Sequence, residues 1–304
     1  MKISTSFLFD RATNRMSTLQ NQLATTQAQL SVSKQILAPS DAPEKAAAIS
    51  RLQGQIDRQD SHSKLLKTSL NRYKAEETSL RSANDLLIRL KELGIQAANE
   101  TLGPEERKTI GVEMSALRDQ LISLGNAQDD NGNYLFSGTR VRSVAFRADG
   151  NGHIEYLGDQ TPTQVPAGVE RTVQYTRSGT DVFQRVVRSD GTAVSFFDAL
   201  DQMIAAVNGN NTSNIKQGIG DLTQMHDSLN LSLAQTGSDQ KVVQSQLDVL
   251  DEATLRLKST LSDTQDLNYA EAVTRMNKEV MALEAAMSSF TKISSLSLFD
   301  YIGR

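Results

Sequence analysis

The spacing of apolar residues at the two ends of this sequence limits the possible folds more than any other feature. Near the N-terminus they recur in alternating steps of three and four positions, interrupted by Thr26 and Ser33. Such spacing keeps side chains on one stripe of a helix with a 3.5-residue period, as in a coiled coil. The members of this stripe are Met16, Leu19, Leu23, Leu30 and Leu37. The sequence therefore predicts a long N-terminal helix with a weakly apolar seam.

The C-terminal third has the same character. One stripe runs through residues 243–261, and the register slips around Asn268 before a second stripe begins. The members of the second stripe are Tyr269, Val273, Met276, Val280, Leu283, Met287 and Phe290. A slip of this kind changes the local winding of a coiled coil, so we expect it not to end the helix.

The middle of the chain has a different pattern. Glycines, prolines and aromatic residues concentrate between residues 132 and 197, with turn signals at 149–152 and 189–191. Short alternating runs between turns are typical of strands. The predicted fold is mainly α with a β-rich insertion: long N- and C-terminal helices pair in a coiled-coil or bundle stem, and a small β domain lies at its outer end.

Breaks in the pattern divide this fold into three parts. Terminal helical segments cover residues 1–40 and 265–304, a helical rod covers 41–131 and 195–264, and the β-rich outer domain covers 132–194. Asp41 and Glu44 have the spacing of a capping box for the second helix, and Pro104 and Ser195 mark two further helix starts. Because seams this polar are marginal on their own, we expect the terminal segments to be poorly ordered in the monomer and to fold on assembly.

Composition excludes several kinds of chemistry. The chain has no cysteine, and its net charge of -4 does not suit a nucleic-acid-binding protein. Its three histidines lack metal-ligand spacing, and no stretch is apolar enough for a membrane span or a cleaved signal peptide. We expect no catalytic residue, no metal and no cofactor, and no nucleic-acid or membrane partner, so the predicted protein is not an enzyme.

Several stretches together resemble the flagellin superfamily, and within it the proteins of the hook–filament junction. They are residues 3–6 (ISTS), 36–43 (ILAPSDAP), 132–139 (GNYLFSGT), 266–272 (DLNYAEA) and the closing segment 296–302 (LSLFDYI). Two of them depart from the family pattern, with Ala42 and Asn268 where an acidic residue is usual. Their order and spacing carry the resemblance, and it covers nearly the whole chain.

The resemblance implies a structural role in the bacterial flagellum, as an adaptor between hook and filament. It also implies export through the flagellar type III apparatus without a cleaved signal, and therefore an extracellular location. The implied partners are further copies of the chain in a ring or tube, hook-associated protein 1, flagellin, the filament cap protein during assembly, and an export chaperone on the C-terminal segment. Two alternatives remain open: a short filament flagellin, and a cytoplasmic coiled-coil signalling adaptor.

The terminal seams supply the expected assembly interface. Each buried aliphatic side chain there contributes about 1.5–3 kcal/mol. The predicted interface residues are Met16, Leu19, Leu23, Leu30, Leu37, Met276, Val280, Leu283, Met287, Phe290 and Phe299.

Overall fold

The structure, a computed structural model, describes residues 5–150, 152–167 and 171–302, with side chains except at 5, 6, 8 and 293–302. Helices dominate, and the strands are confined to one stretch between α3 and α5, which confirms the predicted fold class. The elements are α1 (Thr5–Val32), α2 (Pro43–Ala97), α3 (Pro104–Gly125), β1 (Phe146–Ala148), β2 (Ile154–Tyr156), β3 (Gln164–Pro166), β4 (Thr172–Gln174), α4 (Gly179–Val182), β5 (Val186–Val187), β6 (Ala193–Val194), α5 (Phe196–Asn208), α6 (Thr212–Gln265) and α7 (Tyr269–Ile302).

The chain divides into two compact units. The terminal unit consists of Met1–Asp60 with Glu252–Arg304, and α1 packs against α7 within it. The central unit is Ser61–Asp251 and contains all six strands. The division into three parts at residues 40, 131, 194 and 264 stays a prediction.

The central unit has a closed hydrophobic core. Its larger cluster combines aliphatic side chains of α2, α3 and α6 with the aromatic residues of the strand region and α5. A smaller cluster joins Leu66 and Tyr73 of α2 to Val173 of β4 and Val243 of α6. Helix stripes and inward-facing strand residues of this unit therefore share the same two clusters.

The strands form three separate two-stranded antiparallel sheets, β1–β2, β3–β4 and β5–β6. The predicted turns at 149–152 and 189–191 connect the first and third pairs, with Phe146 opposite Tyr156 and Val186 opposite Val194. Gly152 and Gly191 have φ values of 86° and 85°, a conformation that favours glycine. The turn chemistry of the sequence was therefore sufficient to locate these hairpins.

Two predicted helix starts are confirmed. Pro104 is the first residue of α3, where its missing N–H costs no hydrogen bond. The Ser195 side chain accepts a hydrogen bond from the Asp198 N–H and so caps α5.

The capping box at Asp41 and Glu44 is wrong. Helix α2 begins at Pro43, one position too late for Asp41 to be its cap. The Asp41 Oδ2 instead accepts hydrogen bonds from the backbone N–H groups of Leu37 and Ala38, at 3.2 and 2.8 Å. Its carboxylate therefore stabilises the turn before the helix. Aspartate side chains often accept hydrogen bonds from nearby backbone N–H groups, and here these bonds replace the predicted capping of α2.

The N-terminal seam is shorter than predicted. Helix α1 ends at Val32, and Ser33 follows with φ 55°. The Lys34 N–H donates to the Gln29 carbonyl at 3.2 Å, the long-range bond of a Schellman motif with Ser33 in the position where glycine is usual. Ser33 and Leu37 therefore lie outside the helical stripe, although their spacing fits it.

The register slip at Asn268 does end the helix, against the prediction. Helix α6 stops at Gln265 and α7 starts at Tyr269. The Asn268 Oδ1 accepts from the Glu271 N–H at 3.3 Å, and the Asn268 carbonyl accepts from the Ala272 N–H. Asn268 acts as the N-cap of α7, because an asparagine side chain replaces a missing helical acceptor for the first turn.

Candidate assembly surface

The terminal helix pair, α1 with α7, carries all of the predicted interface residues except Leu37, which follows α1. Leu19 is buried, and Leu37 and Met287 are exposed. The side chain of Phe299 lies outside the part of the chain that the structure describes. The remaining members are half-buried, namely Met16, Leu23, Leu30, Met276, Val280, Leu283 and Phe290. The structure thus places most of the predicted residues in the helices that pack together, but with their apolar surface only partly covered.

Further apolar side chains of the terminal unit are exposed to solvent. The Phe9 ring lies 4.9 Å from the Phe290 ring, centroid to centroid, yet Phe9 remains 45% exposed. The exposed set, 41–70% accessible, consists of Phe7, Phe9, Val32, Leu37, Leu255, Tyr269, Met281 and Met287. These side chains leave apolar surface of the terminal unit accessible to solvent.

A polar groove interrupts the apolar seam of the helix pair. Its volume is about 520 Å³, and its lining includes Asn21 and Gln22 of α1 with Arg275 and Glu279 of α7. Thr26, a seam position where an aliphatic residue is usual, is buried at its edge. Polar residues in a coiled-coil seam fix register at a cost in stability, so these residues weaken the seam between α1 and α7.

The residues just before the 36–43 motif meet the start of the 266–272 motif within the terminal unit. Residues 33–35 and 264–267, here called the loop pair, run antiparallel through a bridge between Lys34 and Asp266. The Gln35 N–H donates to the Gln265 carbonyl and the Leu267 N–H to the Ser33 carbonyl, both at 3.0 Å. The Gln35 side chain also donates to the Thr264 carbonyl at 2.7 Å. The backbone groups that follow α1 and those that precede α7 therefore form hydrogen bonds with each other.

A third motif, residues 134–138, anchors the strand region of the central unit. Leu135 and Phe136 are buried, and the Phe136 carbonyl accepts from the Gly179 N–H at 2.7 Å. Gly138 has φ 65°, and a Cβ there would collide with the carbonyl of Asp159. Both the positive φ and the contact with Asp159 require glycine at this position. The buried side chains of Leu135 and Phe136 make the motif part of the core.

The same motif covers a buried charge cluster that the sequence analysis missed. Arg72 donates to the Leu135 carbonyl at 2.8 Å, and its Nη1 lies 3.4 Å from Asp129. Glu76 lies between two guanidinium groups, 3.6 Å from Arg72 Nε and 3.3 Å from Arg177 Nε. Arg177 also pairs with Asp239 at 2.5 Å. The cluster joins α2 and α6 to the residues that flank the strands.

Burial dominates the electrostatics of this cluster. Removal from water raises the pKa of Glu76 to about 7, although the charges of Arg177 and Arg72 act in the opposite direction. Burial likewise raises the pKa of Tyr73, whose hydroxyl donates to the Gln174 carbonyl at 2.7 Å. A carboxyl held between arginines in the interior stabilises one arrangement of these elements, because a displaced partner would leave a buried charge unpaired.

The described residues contain no group of three or more His, Cys, Asp or Glu side chains that could hold a metal ion. Among the described helices there is also no candidate for a transmembrane segment.

Comparison with known proteins agrees with this architecture. A family model described as the bacterial flagellin N-terminal helical region matches residues 3–141. Flagellar hook-associated protein 3 of Salmonella typhimurium is 27% identical over 322 residues, which cover 99% of each chain. The chain is therefore similar to flagellar hook-associated protein 3 over almost its whole length. Its Escherichia coli counterpart, with the same name, is 24% identical over 99% of both chains.

The fold is also shared with a solved structure, a putative flagellar hook-associated protein from Vibrio parahaemolyticus. The TM-score is 0.65 at 20% identity, and the match covers 74% of this chain and all of the other. The similarity found in sequence therefore extends to the fold.

Proposed function

We propose that this chain is a structural protein of the bacterial flagellum, which joins the hook to the filament. The observation that carries the proposal is similarity to hook-associated protein 3 over 99% of both chains. The closing segment, residues 296–302, favours the junction protein over a filament flagellin. The relatives are flagellar structural proteins, and we propose the same non-enzymatic role here.

The mechanism is assembly of identical copies. A contact between two different faces of one subunit, repeated by rotation, generates a ring or a helical tube. The terminal helix pair supplies such a contact, because its seam residues are half-buried in the single chain and Met281 and Met287 are exposed. Completing their burial adds about 25 cal/mol for each Å² of apolar surface removed from water.

The partners follow from an adaptor role. One edge of the assembled ring meets hook-associated protein 1, and the other meets flagellin or, during growth, the filament cap protein. Before assembly an export chaperone covers the C-terminal segment, since an amphipathic helix with an exposed apolar face is a typical ligand for a groove. Export through the flagellar type III apparatus, without a cleaved signal, places the protein outside the cell, and a chain without cysteine suits transport in the unfolded state.

Location within the flagellum tests this proposal directly. Sheared flagella are labelled with an antibody against the chain, and we expect label only at the hook-proximal end. Deletion of the gene should leave hooks intact while flagellin monomers are shed into the medium. Label along the whole filament would instead support a short filament flagellin, and retention of the chain inside cells that have a working export apparatus would support a cytoplasmic signalling adaptor.

A pair of variants tests the assembly surface. Leu19→Asp places a charge in the buried seam of α1, and Gln20→Asp places the same charge on the exposed neighbouring position. We expect both variants in the culture supernatant, but only the Gln20→Asp protein should be retained on hooks and should prevent flagellin loss. Equal retention of the two proteins would contradict a role for this seam in assembly.

A further inference from the structure

The methionines of this chain differ in exposure between its two units. Met114, Met203 and Met225 belong to the central unit and are at most 2% exposed. Met281 and Met287 lie in α7 of the terminal unit and are 60% and 43% exposed. Among the methionines whose side chains the structure describes, these two are the exposed ones. They are here called the α7 methionines.

No thiol competes with the α7 methionines for an oxidant. The chain contains no cysteine, so methionine thioethers are its only sulfur groups. Sulfur atoms are oxidised according to their exposure to solvent, and a close-packed core keeps an oxidant away from the thioethers inside it. Exposure therefore directs an oxidant to α7 and away from the methionines of the central unit.

Met287 is part of the apolar stripe of α7. It lies four positions after Leu283 and three positions before Phe290, whose ring is 4.9 Å from that of Phe9 in α1, centroid to centroid. A sulfoxide turns this flexible apolar side chain into a polar one. Burying its oxygen without a hydrogen-bond donor costs free energy, so oxidation opposes closer packing of the stripe.

We propose that the α7 methionines are sites of reversible oxidation, which lowers the affinity of the terminal unit for neighbouring subunits. Hydrogen peroxide transfers one oxygen atom to each thioether sulfur, which is oxidised to the sulfoxide while the peroxide is reduced to water. Methionine sulfoxide reductases reverse the step with two electrons from a thiol, and the oxygen leaves as water. The sites follow from exposure alone, whereas their effect on subunit contacts rests on the proposed function.

Peptide mass spectrometry after peroxide treatment of the full chain locates the oxidised sites. We expect the α7 methionines to gain an oxygen atom at least about tenfold faster than Met114, Met203 and Met225. In urea this difference should disappear, because it depends on burial in the folded chain. Similar rates at all five residues of the folded chain, or no sulfoxide at the α7 methionines, would overturn the assignment of the sites.

Retention on hooks measures the effect on subunit contacts. Hooks are isolated from cells in which the gene is deleted and are mixed with the full chain, either untreated or oxidised by peroxide. We expect oxidation to lower retention about tenfold, and reductase treatment to restore it. The matched control combines Met281→Leu with Met287→Leu, which keeps apolar side chains of similar size but removes both thioethers. Retention of this double variant should be the same before and after peroxide treatment.

The possible outcomes separate the inference from the proposed function. An equal loss of retention in wild type and double variant, or no loss in either, would overturn the effect of oxidation on subunit contacts. Failure of the untreated wild type to bind hooks would contradict the proposed function and this effect together. The mass spectrometry does not involve hooks, so it still decides whether the α7 methionines are the oxidised sites.

Discussion

The terminal and central units are built from the same kind of amphipathic helix, yet only the central unit buries its apolar face. In the central unit, Tyr73, Leu90 and Phe136 have no accessible surface. In the terminal unit, Leu19, Ile56 and Ala272 are the only apolar residues below 9% exposure among those described. Helical periodicity in the sequence identifies an apolar face that tends to become buried. The elements packed around the helix decide whether the same chain covers that face.

The physical reason is the number of layers. Strands, α3 and α5 cover the stripes of α2 and α6 in the central unit, and their aromatic side chains fill the space between helices. In the terminal unit α1 and α7 cover mainly each other. A pair of helices leaves most of each cylinder accessible, and we propose that other subunits complete the burial.

The strongest test of this contrast removes an aromatic side chain from the central core. The Phe183 ring packs against Phe136, Phe146 and Phe196 with centroid separations of 5.1–5.8 Å. Phe183→Ala should lower the free energy of unfolding by about 3–5 kcal/mol, through lost burial and the cavity left behind. Urea denaturation followed by circular dichroism measures this change. Leu231→Ala, at a 55% exposed site, should change it by less than about 0.5 kcal/mol, and similar losses in the two variants would contradict a closed core.

A second test uses pH and the buried charge cluster. Glu76 has a folded-state pKa of about 7 against an ordinary value of 4.5, because burial disfavours its charged form. The protonated carboxyl therefore stabilises the fold below pH 4.5, and this contribution is lost as pH rises to 7. The difference in free energy of unfolding between wild type and Glu76→Gln should therefore fall by about 3 kcal/mol between pH 4.5 and 7. Above pH 7 this difference should stay constant.

Denaturation series at several pH values measure this difference, and Glu77 provides the matched control. Hydrogen bonds from Gln240 and Arg81 hold the pKa of Glu77 below its usual value. Any contribution from Glu77 is therefore already complete above pH 4.5, and wild type and Glu77→Gln should run parallel between pH 4.5 and 7. If the difference between wild type and Glu76→Gln does not change with pH, the Glu76 carboxyl stays ionised in the folded state.

The smallest effect on the isolated chain is expected in the terminal helix pair. Leu23→Ala removes a half-buried side chain of α1 and should lower the free energy of unfolding of the monomer by no more than about 1 kcal/mol, since only part of its surface is covered and we expect residues 1–40 to become ordered on assembly. Its effect on recruitment to hooks should be larger, because assembly completes that burial. Amide exchange in dilute monomer gives the complementary measurement. Strong protection at Leu23 and Leu283 would contradict our proposal that residues 1–40 and 265–304 fold on assembly.

Local chemistry made much of the fold predictable from the sequence. Three-four spacing identified the long helices, and Pro104, Ser195 and the glycine turns located starts and hairpins because each acts on its own neighbours. The helix ends at Val32 and Gln265 were missed for the opposite reason. The loop pair joins backbone groups more than 200 positions apart, through bonds such as Gln35 N–H to Gln265 O, and no local pattern records such a contact.

The buried charges show the same limit. Arg72 and Glu76 stand four positions apart in α2, the spacing of an ordinary pair on a solvent-exposed helix face. Only the packing of residues 134–138 and Arg177 over them removes both side chains from water. Sequence spacing gives the distance between two charges along a helix, but not the dielectric environment in which they interact.

By itself, the sequence determined a mainly helical chain with a strand-rich insertion, weak seams at both ends and the motifs that resemble flagellins. Periodicity, turn residues and composition are local properties, so they can be recognised without knowing which distant segments are in contact. The tertiary structure decided which seam positions lie in helices, which breaks pair with each other and which charges are buried. These features depend on contacts between distant segments, so they exist only once the chain has folded.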